Sequence, residues 1–279
     1  MNHKLLDVAQ LITATLRLTA APADIASHVA AAGSIDWTAL VDHADGHSLT
    51  PLLYDVWRQV GALDDIPPDI RARLARAYAD NAERNVHIRR ELVEVHQLLA
   101  QAKAPHLVLK GWPLVERLYP NPAQRVLYDH DFLVPADQAE RGQRALLAAG
   151  FQPLPAKDEW IEKHLPPVWR NNGYHWDGYL FDPHYPRPVE LHVRLWEQDW
   201  RGLKVDQLPY LWPRATTATV AGQSMQLLSD VDTLIHLAVH FAGHLVERAA
   251  RLNQLLDLAR FTQLVAYIDW ERLWAQVTA

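Results

Sequence analysis

The apolar pattern of the chain changes character at "QAKAPH", Gln101 to His106, and this break constrains the fold more than any other feature. Before it, apolar residues recur at helical spacing: Ile70, Leu74, Ala77 and Tyr78, then Val86, Ile88, Leu92, Val95, Leu98 and Leu99. Pro67 and Pro68 open this long helix, where a missing N–H is tolerated in the first turn. Pro105 disfavours its continuation. Upstream, Asp36 is placed to cap a helix beginning at Trp37, and Leu52, Leu53, Val56, Trp57 and Val60 mark another. Leu5, Leu6, Ala9, Ile12 and Leu16 sit at helical spacing, and Asp7, Gln10 and Arg17 interrupt any signal-peptide core. The spacing therefore predicts an amphipathic first helix.

After the break the segments are short. "HLVLKG" reads as a buried strand closed by Gly111, and "WPLVERLY" as a short helix stopped at "PNP". "RVLYDHDFLV" is β-branched and aromatic, hence a strand ended by Pro135. "ADQAERGQRALLAAGF" follows as a helix with Gly150 at its stop. "GYHWDGYLFD" and "PVELHVRLW" flank a proline-bearing turn as two strands, and "ATTATV" with "SMQLL" forms a hairpin. Ser229 and Asp232 suggest a capping box before a helix through "TLIHLAVHFAGHLVERAARL", and "LNQLLDLARFTQLV" and "DWERLWAQV" close the chain as helices. The expected fold class is α+β: a small mixed sheet flanked by helices. A helical N-terminal region spans 1–103, a core 104–228 and a helical C-terminal region 229–279.

With 279 residues and 49% hydrophobic content, the chain can bury a substantial core. A net charge of −6 argues against a broad nucleic-acid surface, which needs clustered Lys and Arg. No stretch approaches the roughly 20 apolar residues of a membrane span. The chain has no cysteine, which excludes disulfides and thiolate metal sites. A cytoplasmic location is expected.

The chemistry concentrates in "DHD". On a strand, Asp129 and Asp131 point to one face, roughly 6.5 to 7 Å apart, and Tyr128, His130 and Phe132 to the other. Two anions beside an apolar strand repel one another and call for a cation, which a hard divalent metal such as Mg²⁺ supplies. Upstream, Gly111 precedes a helix whose N–H groups can receive phosphate. Downstream, "VELHVRL" puts Glu190 and His192 on a common strand face. A third carboxylate completes the set that two-metal phosphoryl or nucleotidyl transfer requires.

The blocks "LVLKGWPLVERLYPNPAQRVLYDHDFLV", "KHLPPV", "VELHVRL" and "LSDVDTLIHLAVHFAGH" with "LLDLARF" resemble the uncharacterised bacterial nucleotidyltransferases of the DNA polymerase β-like superfamily. The resemblance implies a mixed sheet of nucleotidyltransferase type and transfer of an NMP group from an NTP, ATP foremost, to an unidentified acceptor. It implies Mg²⁺, two ions during turnover, with Mn²⁺ as an alternative. Asp129, Asp131 and Glu190 would be the metal ligands and catalytic carboxylates. Gly111 would receive the triphosphate, and Lys110 and Arg125 would be counter-charges. Apart from the resemblance, His192 is read as a nucleotide contact because it shares the strand face of Glu190. The chain departs from the family at Trp112, Val126 and Tyr128. Rings at positions 112 and 128 either narrow the phosphate pocket or stack on a base. A catalytically inactive nucleotide- or partner-binding module is the alternative those departures raise.

Other histidines suggest less. His236, His240 and His244 repeat every four residues on one helix face, but three turns of a straight helix cannot all reach one zinc ion. They read as a polar seam between the C-terminal helices and the core. His164 and His175 lie between the central block and Glu190, as turn residues or proton carriers. The eleven tryptophans, several around "DEWIEK", "PVWRNN", "YHWDG" and "RLWEQDW", read as core and interface residues that could line an acceptor groove.

Overall fold

The computed structural model describes residues 3–154, 163–170, 173–197, 199–200, 203–204, 208, 210–265, 268 and 270–277. Helices α1 (His3–Leu16), α2 (Pro22–Ala30), α3 (Trp37–Gly46) and α4 (Thr50–Gln59) come first. They close on a core that includes Leu40, Leu53 and Trp57. Asp36 caps α3 by accepting a hydrogen bond from the Ala39 N–H at 3.0 Å. In α1 the buried side is Val8, Leu11 and Ile12, with Ala9 exposed; the side chains of Leu5 and Leu6 lie outside the described residues.

Helix α5 (Pro68–Gln101) links the two main cores. Its first turns bury Ile70 and Leu74 among the N-terminal helices, and its last turns bury Ile88, Leu92, Val95 and Leu99 against the sheet. The elements that follow are β1 (Leu107–Val108), α6 (Trp112–Leu118), β2 (His130–Leu133), α7 (Ala136–Ala148), β3 (Gln152–Pro153), β4 (Val168–Trp169), β5 (Val189–His192), β6 (Asp199–Trp200), β7 (Leu203–Lys204), α8 (Leu211–Arg214), β8 (Thr216–Val220) and β9 (Gln223–Leu227). Helices α9 (Asp230–Val246), α10 (Leu252–Leu264) and α11 (Trp270–Val277) end the described chain. The α+β class holds: a mixed seven-stranded sheet in the order β3-β4-β5-β2-β1-β9-β8 is flanked by helices. Among the described residues no helix is long and apolar enough to cross a membrane.

Alternation along the strands sets the two faces of the sheet. Val108 and Phe132 pack toward α5, while Leu107, Leu109 and Leu133 pack on the other side with Ile235 of α9. Asp131 falls on the α9 side by the same alternation.

Several elements differ from the sequence reading. The strand around "DHD" begins only at His130, because the preceding segment is held by α5 instead of by a ladder. Asn81 Nδ2 donates to the carbonyls of Ala123 (2.7 Å) and Arg125 (3.2 Å), and Asn85 Nδ2 to those of Pro122 (2.6 Å) and Arg125 (3.0 Å). Residues 173–182 form turns, not a strand. Their aspartates compete with sheet pairing: Asp177 accepts from the Tyr179 N–H, and Asp182 from the Tyr174 hydroxyl and the His184 N–H. The partner of β5 on that side is the unexpected β4. Helix α9 stops at Val246, where Arg248 turns left-handed (φ +58°) and the Ala249 N–H returns to the His244 carbonyl at 2.8 Å. Ser229 caps it by accepting from the Asp232 N–H, but the Asp232 carboxylate pairs with Arg214 instead of closing the box. The hairpin of "ATTATV" with "SMQLL" forms as expected.

Candidate nucleotide and metal site

Strands β2 and β5 run parallel, with Asp131 directly opposite Glu190. Neighbouring strands are about 4.8 Å apart, so the two carboxylates stand side by side on one face. His192, two residues beyond Glu190, shares that face. Its Nε2 lies 2.9 Å from Asp131 Oδ1 and 3.3 Å from Glu190 Oε2. An isolated antiparallel bridge from His164 to His192 brings His164 Nε2 to 3.6 Å from the same Glu190 oxygen. One donor atom each from Asp131, Glu190 and His192 fall within 4.8 Å of one another.

Asp129 precedes β2 and joins this group through Lys110. The Lys110 ammonium lies 3.3 Å from Asp129 Oδ2 and also touches Asp131 Oδ2. Lys110 follows directly on Leu109, whose N–H donates to the Asp131 carbonyl at 3.1 Å, so the backbone sets this meeting. Gly111 then turns the chain into α6 at φ +80°, a conformation that favours glycine. The carboxylates thus have a cation between them inside the protein.

The charges order the site. Burial raises the Asp129 carboxyl, and neighbouring Asp131 raises it further. Burial would raise Asp131 too, but Lys110 and His192 hold it well below the usual carboxylate range. Glu190 is likewise lowered against its burial, chiefly by the hydrogen bond with His192. His192 is raised despite burial by its bonds to Asp131 and Glu190, whereas burial lowers His164.

These residues fit a divalent cation. Hard carboxylate oxygens and one imidazole nitrogen converge at spacings near those of ligands about 2.1 Å from a shared ion. Asp131 Oδ2 is buried and, despite touching Lys110, receives no aligned hydrogen bond among the described residues. The converging set includes His192, which the sequence placed with the nucleotide, while Asp129 stands across Lys110 from it.

A cavity of about 280 Å³ opens beside this group, lined among others by Lys110, Gly111, Asp129, His240, Arg251 and Asn253. Arg125 also lines it, with its guanidinium committed to Asp257: Nε lies 3.0 Å from both carboxylate oxygens and Nη2 2.5 Å from Oδ2. Tyr119 donates its hydroxyl to the same carboxylate at 2.6 Å. Trp112 is buried in the core beside α5, its Nε1 donating to Glu116 at 2.7 Å, and is not among the residues that line the cavity. Tyr128 stays at the cleft wall, sharing a hydrogen bond with Ser48 at 2.9 Å.

Along α9 the His236 and His240 rings stack with centroids 6.0 Å apart, His240 and His244 meet edge to face at 4.4 Å, and His240 and His244 line this cavity. Burial, then the nearby Lys110 charge, brings His236 down to about 3 and lowers His240 strongly. All three join no metal cluster among the described residues. His175 lies in the 173–182 turns and belongs to neither the carboxylate–histidine cluster nor the cavity lining. Of the tryptophans, Trp196 is buried, Trp176 is exposed, and Trp160 lies outside the described residues.

The sequence reading missed Asp257, Arg251 and Asn253. Asp257 alone left a trace: a carboxylate inside the apolar helix "LLDLARF" implies a buried partner.

No curated protein and no solved structure matches the chain. A family model described as uncharacterised nucleotidyltransferase matches residues 33–279, a span that includes every residue of the site, and the chain belongs to that family.

Proposed function

We propose that the protein transfers an NMP group from a nucleoside triphosphate, ATP foremost, to a hydroxyl or similar acceptor on a small molecule, peptide or protein. The supporting observation is the placement of Asp131, Glu190 and His192 on adjacent strands, with Asp129 joined through Lys110 at the wall of a cleft. In this reading the site is of the DNA polymerase β-like type. Asp129, Asp131 and Glu190 hold Mg²⁺, two ions during turnover. His192 adds a nitrogen donor that also suits Mn²⁺. When bound, the metal supplies Lewis acidity to the phosphoryl oxygens and eases loss of the acceptor's proton.

The chain's own groups divide the remaining work. Lys110 presents positive charge where triphosphate oxygens gather, and Gly111 keeps that wall free of a side chain. Glu190, ionised and held by His192, accepts the proton of the attacking hydroxyl. The acceptor oxygen bonds to the α-phosphorus as the bond to pyrophosphate breaks.

Incubation with α-labelled and with γ-labelled ATP tests this. Label is expected in the acceptor from the α position only; arrival from the γ position would make the enzyme a kinase. Asp131→Asn should abolish transfer while leaving the circular dichroism spectrum intact, and full activity in that variant would sink the assignment. One observation favours a catalytically inactive binding module: Lys110 already neutralises Asp129 and Asp131 from within. Mg-ATP binding without transfer from either label would decide for that module.

A further inference from the structure

We propose that the end of the cleft formed by the start of α10 is the base-recognition subsite for that nucleotide, and that it selects adenine. This rests on the nucleotidyltransferase reading and adds the residues that read the base.

The first support is Asn253. It lines the cleft, is only 8% exposed, and its Oδ1 has no hydrogen-bond partner among the described residues. A buried amide oxygen without a donor is costly; this oxygen is closed to solvent, and a turn of the amide on the cleft wall lets the occupant supply the donor. The second support is Arg251. Its guanidinium lies over the Tyr128 ring, 4.9 Å from the centroid, and Nη1 donates to Ser48 Oγ at 3.2 Å. Arg84 lies over the same ring at 5.1 Å, and the Tyr128 hydroxyl meets Ser48. Arg251 is therefore a planar cation fixed at the cleft wall, the kind of surface on which bases stack.

The rest of this end is suited to hydrogen bonding without net charge. Gln254 Oε1 accepts from the Arg251 N–H at 3.0 Å, which fixes the turn that carries Asn253. His240 and His244, both lowered by burial, also line the cavity as neutral rings. Phosphates are better served at the Lys110 end. An amide offers one acceptor and one N–H donor side by side, matching the N6 amino group and the adjacent ring nitrogen of adenine.

The test is titration calorimetry of the full-length protein with the Mg²⁺ complexes of ATP, GTP, CTP and UTP. ATP is expected to bind about tenfold or more tighter than the others, the discrimination a good bidentate pair provides. Asn253→Asp turns the amide into an acceptor alone. It then opposes the lone pair of the adenine ring nitrogen and suits the N1–H and N2 amino group of guanine. The ATP-over-GTP preference should fall at least tenfold or invert. Four nucleotides binding equally, a wild-type preference for another base, or a preference unmoved by Asn253→Asp in folded protein would each overturn the base assignment and leave nucleotidyl transfer standing. If Asn253→Asp does not fold, the wild-type series decides alone. Binding of none of the four would remove both readings.

Discussion

Replacing Asp257 with leucine should cost the protein much of its stability, and pairing that change with Arg125→Met should restore most of it. Asp257 is 1% exposed and accepts from Arg125 Nε, Arg125 Nη2 and the Tyr119 hydroxyl. Its removal leaves a buried guanidinium without a counter-charge, a loss of about 3–5 kcal/mol. The orphaned Tyr119 hydroxyl adds about 1 kcal/mol. Burying leucine returns about 1–2 kcal/mol. The net is roughly 2–5 kcal/mol, or a melting temperature lower by on the order of 10 °C. In the double variant no charge is stranded, and an apolar pair of similar volume should bring stability to within about 1 kcal/mol of wild type.

Urea unfolding followed by tryptophan fluorescence and by far-UV circular dichroism measures these values, and coincident transitions license a single free energy. A loss of less than about 1 kcal/mol in Asp257→Leu, or a double variant that loses the sum of the two single changes, would refute the stranded-charge account. The stable double variant also separates two uses of Arg125. A counter-charge to the triphosphate predicts Mg-ATP binding weakened at least tenfold. A guanidinium already spent on Asp257 predicts little change, which is the outcome expected here.

Lys110→Met removes the internal cation between Asp129 and Asp131. Mn²⁺ should then bind the nucleotide-free protein several-fold more tightly by calorimetry while nucleotidyl transfer is lost, and weaker Mn²⁺ binding would refute the competition. Burial would raise Glu91, but hydrogen bonds with His130 and Arg187 bring it down to about 2. Its folded value lies below the unfolded one, so its contribution, about 2–3 kcal/mol, is present above pH ~4.5 and fades as pH falls toward 2. Glu91→Gln should flatten the acid limb of melting temperature against pH, and an unchanged limb would exclude the pair as its source. His236 is held down to about 3 by burial, so the unfolded chain takes up a proton below pH ~6.5 that the folded chain refuses. Stability should fall as pH drops from 6.5, and His236→Leu should make that fall shallower by up to one proton in a plot of unfolding free energy against pH.

The features legible in the sequence are those written in a local period. Helix α5 could be read because apolar positions recur at helical spacing toward both ends of its 34 residues, although its middle turns bury Asn81, Arg84 and Asn85 and leave Val86 exposed. The shared face of Glu190 and His192 follows from a spacing of two. The two-residue strands β1, β3 and β4 carry no period at all, and β3 and β4 went unseen. The turns at 173–182 look like a strand by composition, yet their aspartates hold backbone N–H groups that a ladder would need. Register was also invisible. Nothing in the spacing of residues 131 and 190 says that they stand opposite, and Asp257 reaches Arg125 across 132 positions.

Lys110 is the case where local reading and tertiary outcome meet. The two aspartates of "DHD" demand a cation, and the sequence pointed to a metal for that demand. The fold answers first with a side chain 19 residues upstream of Asp129, delivered by the β1–β2 pairing. Carboxylates that were neutralised only by metal would repel one another whenever the metal was absent, and the strand pair beneath them would bear that cost. With Lys110 in place, the site can fold before any ion arrives, and an ion or a triphosphate then competes for contacts the protein already makes. The same residue that lets the acidic cluster fold thereby limits how tightly bare metal binds to it, which is why metal affinity in the Lys110→Met protein reports on the construction of the site as well as on its chemistry.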